Sequence, residues 1–401
     1  MPKTSLRTWR KRAGGALLRL RQNQQLLLEA FADRICAASL FTRLRIDTFR
    51  LFEVPCRQCS LPLQRCTIPL RSASIHHRSS QGLAAVQDKP VIRDKFLSKP
   101  AEMQPGAVTV PNGCASFQGA IVNAHGELVN PKELDQECFL RDSKTTSLLP
   151  ARRTVDGVVL TLAHRWQNNY FHWLFDVLPK LAVAEALEIR FSHLHIARRA
   201  AYQQQALELL KIDPSIVIAS QPGEQLQAHS LVAITTQDAF TNIPTWTCQF
   251  LRDRFLPIPA TRRGERLYVS RADAPRRRIR NEPQVIAWLT AMGFRIVEAG
   301  KLDFASQIQL FAAADIVVAA HGAGLANMVF CAPGTAVIEY MAPRYVFGCW
   351  HNLADRCGLD YHLIGGPDLD LEIDHGWSYQ KEDFDLDLPR LQAVVTSLLR
   401  S

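Results

Sequence analysis

A histidine and an aspartate four residues apart form the first pattern that could do chemistry. His172 and Asp176 lie in "NNYFHWLFDVLP", residues 168–179, and on a helix this spacing places two side chains on one face. A histidine oriented by a carboxylate is a suitable general base for a hydroxyl group. A core histidine paired to a structural aspartate is the alternative, and the spacing leaves both interpretations open.

A glycine loop between two apolar runs forms the second pattern. In "DIVVAAHGAGLANMVF", residues 315–330, the loop consists of His321, Gly322, Ala323 and Gly324. A strand followed by such a loop and a helix offers unpaired N–H groups to phosphate oxygens, and glycine lets the backbone approach a ligand. The loop lacks the Gly-Lys-Ser/Thr of nucleoside-triphosphate sites and the third glycine of the dinucleotide fingerprint. A purely structural turn is the alternative.

Basic and acidic residues near other predicted strand ends favour a ligand at this loop. "SRADAPRRRIRNE", residues 270–282, supplies Arg271 and a cluster around Arg277, and guanidinium groups suit a diphosphate. Glu339 ends the apolar run "AVIEY" and could accept hydrogen bonds from ribose hydroxyls. Taken singly, these are also ordinary surface or capping residues. Together they predict a nucleoside-diphosphate site.

The elements that must position these residues alternate between strand and helix patterns. Strands are predicted at 158–164, 193–197, 215–220 and 231–236, and again at 266–271, 294–299, 315–320 and 336–340. Helices are predicted at 168–189, 202–212, 281–293 and 303–314 and near 347–357, with Asp303 as an N-cap. This alternation predicts an α/β protein. We expect two α/β halves that join near 245–262 and face a cleft.

Charge is concentrated at the N-terminus. The net charge of the chain is +9, and residues 1–80 hold fifteen Lys/Arg against four Asp/Glu. The rest of the chain is therefore nearly neutral, which is unlike a nucleic-acid-binding core. Residues 1–100 are predicted to be a basic appendage, either poorly ordered or touching anionic lipid through an amphipathic helix at 15–31. The predicted lobes are 101–250 on the acceptor side and 251–401 on the nucleotide side, the latter with an acidic C-terminal tail.

Metal sites, disulfides and membrane spans are not predicted. The ten cysteines show no regular spacing and no run of 18 apolar residues occurs, so we expect a cytoplasmic protein with reduced thiols, peripheral on the inner face of the membrane if the arm binds lipid. Two sets of residues could suggest a metal site. We interpret the first, Cys56, Cys59 and Cys66 with His76 and His77, as ordinary thiols and histidines. We interpret the second, the Asp-x-Asp patterns at Asp368/Asp370 and Asp383/Asp385/Asp387, as solvated tail residues.

Several segments, in this order, resemble glycosyltransferase family 61. They are "NNYFHWLFDVLPKL", "LYVSRADAPRRRIRNE", "GFRIVEAGKLDFASQIQLFAAADIVVAAHGAGLANMVFCAPGTAVIEY" and "GLDYHLI", and the resemblance covers roughly residues 155–365. The family includes plant xylan arabinosyl- and xylosyltransferases, protein O-linked N-acetylglucosaminyltransferases and many bacterial members. The resemblance implies a GT-B architecture of two Rossmann-like lobes, an inverting reaction and no essential metal or cofactor.

Carried onto this chain, the resemblance implies a set of site residues. Those of the donor side would be Arg271, Arg277, Asn281, Glu282, His321, Gly322, Ala323, Gly324 and Glu339. His172 and Asp176 would lie on the acceptor side, and the resemblance does not decide which of them is the base.

The predicted reaction is sugar transfer from a nucleoside-diphosphate sugar, expected to be UDP-linked, to an acceptor hydroxyl. By analogy with the family, we expect the acceptor to be a surface polysaccharide or its lipid-linked precursor in a bacterium. A GT-B-type nucleotide-sugar epimerase and a non-catalytic nucleotide-sugar-binding protein are the alternatives. No nucleic-acid partner is expected.

Overall fold

The computed structural model describes residues 58–69, 103–130, 134, 151–237, 239, 242–272, 274, 276–342, 347–365 and 383–400. Within these ranges the chain forms two β-sheets and eight α-helices. The α/β class predicted from the alternation of strand and helix patterns is confirmed.

The first sheet contains parallel strands with an antiparallel extension. Its strands are β1 (Gln58–Cys59), β2 (Leu63–Arg65), β3 (Gly106–Pro111), β4 (Cys114–Ser116), β5 (Ile121–Val122), β6 (Leu128–Val129), β7 (Ala151–Thr161), β8 (His193–Ile196), β9 (Val217–Ala219) and β10 (Glu224–Thr235). β9, β8, β7 and β10 lie side by side in that order and are mutually parallel. β3 and β4 pair with β10 in the antiparallel sense. The strand order reverses between β7 and β10, which makes that point a crevice for ligands in an open α/β sheet.

The second sheet is entirely parallel. Its strands are β11 (Glu265–Val269), β12 (Arg295–Val297), β13 (Ala314–Ala320), β14 (Ala336–Met341) and β15 (Asp360–Gly365). The order across the sheet is β12-β11-β13-β14-β15. Here the strand order reverses between β11 and β13. β13 and β14 are apolar and almost completely buried, as expected for parallel strands covered on both faces.

The helices connect these strands. They are α1 (Tyr170–His172), α2 (Lys180–Ala186), α3 (Ala201–Leu209), α4 (Thr245–Phe255), α5 (Glu282–Ala291), α6 (Phe304–Ala312), α7 (Cys349–Cys357) and α8 (Leu388–Arg400). Asp303 caps α6 as predicted, because its Oδ1 accepts a hydrogen bond from the Ser306 N–H at 2.7 Å. The predicted helix at 168–189 is instead three segments. A π-helical turn at Trp173–Val177 separates α1 from α2, and Pro179 stands immediately before α2, where no intrahelical donor is required.

One apolar cluster joins the two sheets. It packs Leu160 and Ile234 of the first sheet together with Leu267 and Val317 of the second. Val318, the next residue on β13, faces a separate cluster that also contains Leu391 and Val395 of α8. The second sheet is therefore covered on one face by the shared core and on the other by a layer that includes the C-terminal helix.

Two parts of the structure differ from the sequence predictions. β1 and β2 lie within the predicted appendage but pair with the first sheet, and Cys59 and Cys66 pack against its apolar clusters. The predicted acidic tail ends in α8, which is amphipathic and packs against the second sheet. The helix predicted after the glycine loop is of the 3-10 type, Ala323–Phe330.

Other N-terminal and tail predictions fall outside the described residues. These are the helix at 15–31, Cys56, His76, His77, Asp368 and Asp370. In the part of the chain that the structure describes, no helix is both long enough and apolar enough to span a membrane.

Candidate functional site

His172 and Asp176 form a hydrogen-bonded pair at the strand-order reversal of the first sheet. The Nδ1 atom of His172 lies 2.7 Å from Oδ2 of Asp176. The other carboxylate oxygen, Oδ1, accepts a hydrogen bond from the Ala239 N–H at 2.8 Å, in the loop that follows β10. Asp176 is 2% exposed, so this carboxylate is held from two sides. Because Nδ1 of His172 faces a carboxylate, it carries the proton, and Nε2 is left as the basic nitrogen.

The π-helical turn accounts for how the pair is presented. The Leu178 N–H donates to the Trp173 carbonyl, five residues earlier, and this widened turn still brings the i, i+4 side chains together. Phe171, Trp173 and Phe175 from the same segment are buried in the shared core. The core therefore anchors the turn while His172 remains partly accessible, with 13% of its side chain exposed.

Three further side chains surround the pair. His164, which follows β7, has its ring centroid 5.6 Å from that of His172. Trp166 stacks at 26° to the His172 ring and is exposed. Lys180 is buried at the start of α2 and lines a cavity together with His164 and Arg165.

Burial sets the protonation state of His164, and hydrogen bonds set that of Asp176. Burial lowers the pKa of His164 to about 3, and the positive charges of Lys180 and Arg165 act in the same direction, so its imidazole is neutral. Burial alone would raise the pKa of Asp176. The hydrogen bonds from His172 and from the Ala239 N–H outweigh burial and hold that pKa below its usual value. The carboxylate beside His172 is therefore ionised at neutral pH.

A second histidine–carboxylate pair lies beside the strand-order reversal of the second sheet, across β13 and β14. His321 follows β13, and its Nδ1 atom lies 2.5 Å from Oε1 of Glu339 on β14. The Tyr361 hydroxyl on β15 donates to Oε2 of Glu339 at 2.5 Å. Glu339 is fully buried. Its predicted contact with a ribose stays a prediction, while the geometry favours a role in orienting His321.

Arg271 lies directly against the glycine loop. Its Nη1 atom donates to the His321 carbonyl at 3.2 Å and its Nη2 atom to the Arg276 carbonyl at 3.1 Å. A Cβ added to Gly322 would lie 1.8 Å from Nη1 of Arg271. A larger residue at this position would therefore displace the Arg271 guanidinium, although the extended backbone of Gly322, with φ of 172°, suits any residue. Arg271 ties the glycine loop to the arginine-rich loop.

The other predicted donor-side residues support that loop in different ways. Oε1 of Glu282, at the start of α5, accepts from the Tyr268 hydroxyl at 2.9 Å and the Ser270 hydroxyl at 2.8 Å. The Asn281 side chain exchanges two hydrogen bonds with the backbone of Leu386. These contacts show that Glu282 and Asn281 stabilise the local structure. Their predicted contacts with the nucleotide-sugar donor stay predictions. Arg277 is half-buried in the same loop with φ of 55°.

Two of the C-terminal aspartates bind the arginine-rich loop. Asp383 accepts from the Arg278 N–H at 2.8 Å, and Asp385 pairs with the Arg280 guanidinium at 2.7 Å. Asp387 instead accepts from the Arg390 N–H near the start of α8. The interpretation of all three as solvated tail residues was therefore incomplete. Alternating apolar residues mark this segment in the sequence, and Phe384 and Leu386 are buried.

Aromatic rings connect the two histidine–carboxylate pairs. Phe171, next to His172, has its ring centroid 5.1 Å from that of Trp350, and Trp350 lies 6.0 Å from His321. The Tyr170 hydroxyl also donates to Oδ1 of Asn327, in the 3-10 helix after the glycine loop, at 2.6 Å. The structure therefore brings the two predicted sites onto one contiguous region. Trp350, Tyr361 and His164 belong to this region, and our sequence reasoning did not assign them to the site.

One comparison with known proteins identifies a family for a segment of the chain. The family model described as Glycosyltransferase 61 matches residues 170–338. The matched segment runs from the start of α1 into β14, and so includes both histidines. The comparison with curated proteins gave no match.

Proposed function

We propose that this protein transfers a sugar from a nucleoside-diphosphate sugar to an acceptor hydroxyl with inversion. The premise is that the chain belongs to glycosyltransferase family 61, whose model matches residues 170–338. The observation that carries the proposal is the presence of one histidine–carboxylate pair at the strand-order reversal of the first sheet and another beside that of the second. Two such crevices, linked through shared aromatic contacts, suit one acceptor and one donor.

His172 is the proposed general base. Its Nε2 atom would take the proton of the acceptor hydroxyl as that oxygen attacks the anomeric carbon. Asp176 would hold the imidazole in the required tautomer through the 2.7 Å hydrogen bond to Nδ1 and would stabilise the imidazolium that forms. Because Asp176 is ionised and itself held by the Ala239 N–H, it is a positioning residue rather than a competing base.

The glycine loop is the proposed diphosphate site. The bond from the anomeric carbon to the diphosphate oxygen breaks as the new glycosidic bond forms, and the diphosphate leaves with the electron pair. Arg277 and the N–H groups after His321 would stabilise that charge, and His321 would contact the diphosphate from the side opposite Glu339. Arg271 would hold the two loops in place through its bonds to the carbonyls of His321 and Arg276. A single in-line displacement of this kind inverts the anomeric centre and uses no metal.

The remaining details of the proposal follow from the family and the fold. Each sheet with its helices would be one lobe of a GT-B architecture, the first binding the acceptor and the second binding the donor. We propose a UDP-linked donor and a polysaccharide or lipid-linked acceptor. These assignments rest on analogy with the family.

The first experiment is thermal stabilisation of the full chain by a panel of nucleoside diphosphates in the presence of a chelator. Stabilisation by one diphosphate is expected, and a ligand at 100 times its dissociation constant adds about 2.7 kcal/mol to the free energy of unfolding. His321→Gln should remove the shift, because the loop loses its imidazole. If no diphosphate stabilises the protein, the assignment of the glycine loop as the donor site is wrong.

The base is tested on turnover of the donor so identified. His172→Gln should lower kcat by about 10²- to 10⁴-fold, the usual contribution of a general base, without changing the diphosphate-induced thermal shift. His362→Gln, which alters another histidine beside an aspartate at 3.1 Å, is the matched control and should keep full activity. Equal rates for His172→Gln and His362→Gln would exclude His172 as the base.

A further inference from the structure

Three side chains of the types that bind metals converge beside the proposed base. His164, His172 and Asp176 each bring one ligating atom, and these atoms lie within 4.8 Å of one another. Two imidazoles and one carboxylate are a ligand set that divalent transition metals accept, with coordination positions left open. We propose that this cluster binds one divalent transition-metal ion, such as Zn²⁺ or Co²⁺, at the edge of the first sheet.

The three ligands come from different positions around one crevice. His164 follows β7, His172 ends α1, and Asp176 lies in the π-helical turn. Oδ1 of Asp176 is already fixed by the Ala239 N–H at 2.8 Å, and such secondary contacts orient metal ligands. In a tetrahedral zinc site with bonds of 2.0–2.1 Å the ligand atoms lie about 3.3 Å apart. Side-chain rotation must therefore close the wider separations by roughly 1.5 Å at most and open the 2.7 Å hydrogen bond between His172 and Asp176.

The charges around the cluster set the expected strength of binding. Asp176 supplies one negative charge, and the buried Lys180 acts against a cation because its charge reaches His164. We therefore expect weaker binding than at a structural zinc site, which is built from four protein ligands. A site with three protein ligands leaves one position open to water or to another oxygen ligand.

Metal binding and base catalysis would exclude each other. An ion held by both His172 and Asp176 would displace the 2.7 Å hydrogen bond between them, which keeps the proposed base in the tautomer it needs, so the ion would inhibit the transferase. This consequence rests on the proposed function, whereas binding itself rests only on the three side chains. A binding experiment can therefore fail or succeed independently of the transferase proposal.

The test is titration of the full chain with Zn²⁺ and Co²⁺ after treatment with a chelator, by calorimetry and by visible absorption of bound Co²⁺. The wild-type protein should bind one equivalent of metal ion at this cluster, and both His164→Asn and His172→Asn should lose that binding. For each variant we expect binding at that equivalent to weaken by about 100-fold or more, beyond the 10- to 100-fold that loss of an outer partner costs. His362→Asn is the matched control and should keep the equivalent.

Two features make the result decisive. Thiolates elsewhere in the chain can also bind these ions, but Co²⁺ on a thiolate gives an intense charge-transfer band that a histidine–carboxylate site lacks. If His164→Asn fails to fold, as judged by circular dichroism, His172→Asn carries the test, because its side chain is partly exposed. Equal stoichiometry and affinity in the unchanged chain and His172→Asn would overturn the proposal.

Discussion

The α-carbon of Gly322 lies so close to the Arg271 guanidinium that a methyl group cannot be added without displacing it. The Cβ of an alanine would be 1.8 Å from Nη1 of Arg271, although the extended backbone of Gly322 suits any residue. Gly322→Ala should therefore break the link between the two loops and weaken diphosphate binding by about 10-fold, the worth of one charge-assisted hydrogen bond. Calorimetric titration with the preferred diphosphate measures this.

Gly324 provides the comparison for this substitution in the same loop. Its added Cβ would meet Cγ1 of Val269 at 3.3 Å, a contact that a small shift of the valine relieves. Gly324→Ala should therefore keep most of the affinity. If the two variants bind the diphosphate equally well, Arg271 does not organise the donor site.

Arg277 and Arg276 are adjacent arginines with different predicted roles. Arg277 is half-buried in the loop, whereas the Arg276 side chain is exposed. Arg277→Gln should lower kcat/KM by about 10²-fold, the scale for removing one group that stabilises charge in the transition state. Arg276→Gln should change kcat/KM by less than about 5-fold, since an exposed charge contributes at most ~1 kcal/mol. Similar losses in both variants would indicate general electrostatic attraction instead of a specific contact.

At the scale of elements, α1 and the 3-10 helix after the glycine loop are joined by one short hydrogen bond. The Tyr170 hydroxyl donates to Oδ1 of Asn327 at 2.6 Å, and Nδ2 of Asn327 in turn donates to Gln307 at 2.8 Å. Tyr170→Phe leaves a buried amide oxygen without its donor, so we expect a loss of about 1–3 kcal/mol in the free energy of unfolding. Urea denaturation measures this loss.

Tyr202→Phe is the control for the loss of a tyrosine hydroxyl. Its hydroxyl donates to the exposed Asn168 carbonyl at 2.9 Å, where water can replace it, so the loss should stay below about 1 kcal/mol. A Tyr170→Phe variant as stable as Tyr202→Phe would mean that the bond contributes little to joining the two halves.

Elements with a strong local pattern could be predicted from the sequence. β13 and β14 are short apolar runs bounded by turn residues, and α6 begins at an aspartate that caps it. α8 was missed because aspartates dominate the segment before it, and its apolar side chains find their partners on the distant second sheet. β10 begins at Glu224 instead of at residue 231 because β4 and β7 pair with its first half.

The candidate site shows the same limit. The His172–Asp176 pair follows from i, i+4 spacing and was predicted. Glu339 reaches His321 because β13 and β14 are neighbours in register, with Ala320 opposite Tyr340, and no local spacing reveals that pairing. The positions of Trp350 and Tyr361 likewise depend on how α7 and β15 pack.

At the scale of the whole molecule, the two sheets share an apolar core and do not behave as separate packing units. Trp350 lies between Phe171 of the first half and His321 of the second, and the Ile243 N–H donates a hydrogen bond to Oδ1 of Asn352 at 2.8 Å. A wide separation of the halves would expose this core to water, at about 25 cal/mol for each Å² of apolar surface. If the chain exchanges substrates as proposed, we therefore expect loops at the edge to move and the core to stay closed.

The stability of the whole chain should depend on pH through two buried neutral histidines. Burial lowers the pKa of His164 to about 3 and that of His195 to about 4, from 6.5 in an exposed chain. The unfolded chain therefore binds more protons than the folded chain as pH falls through 6.5. Each histidine should then reduce the free energy of unfolding by about 1.4 kcal/mol per pH unit until its folded-state pKa is reached.

His195 is the histidine through which this dependence can be measured without touching the candidate site. It is 3% exposed on β8 and bonded to the Thr161 hydroxyl at 3.0 Å. His195→Gln cannot bind a proton in either state, so it should remove about 1.4 kcal/mol per pH unit of the slope between about pH 6 and about pH 5, as measured by urea denaturation. His229→Gln, on the exposed part of β10, is the matched control and should keep the slope of the unchanged chain. An unaltered slope in His195→Gln would mean that His195 accepts its proton inside the folded sheet, and that burial there does not exclude the charge.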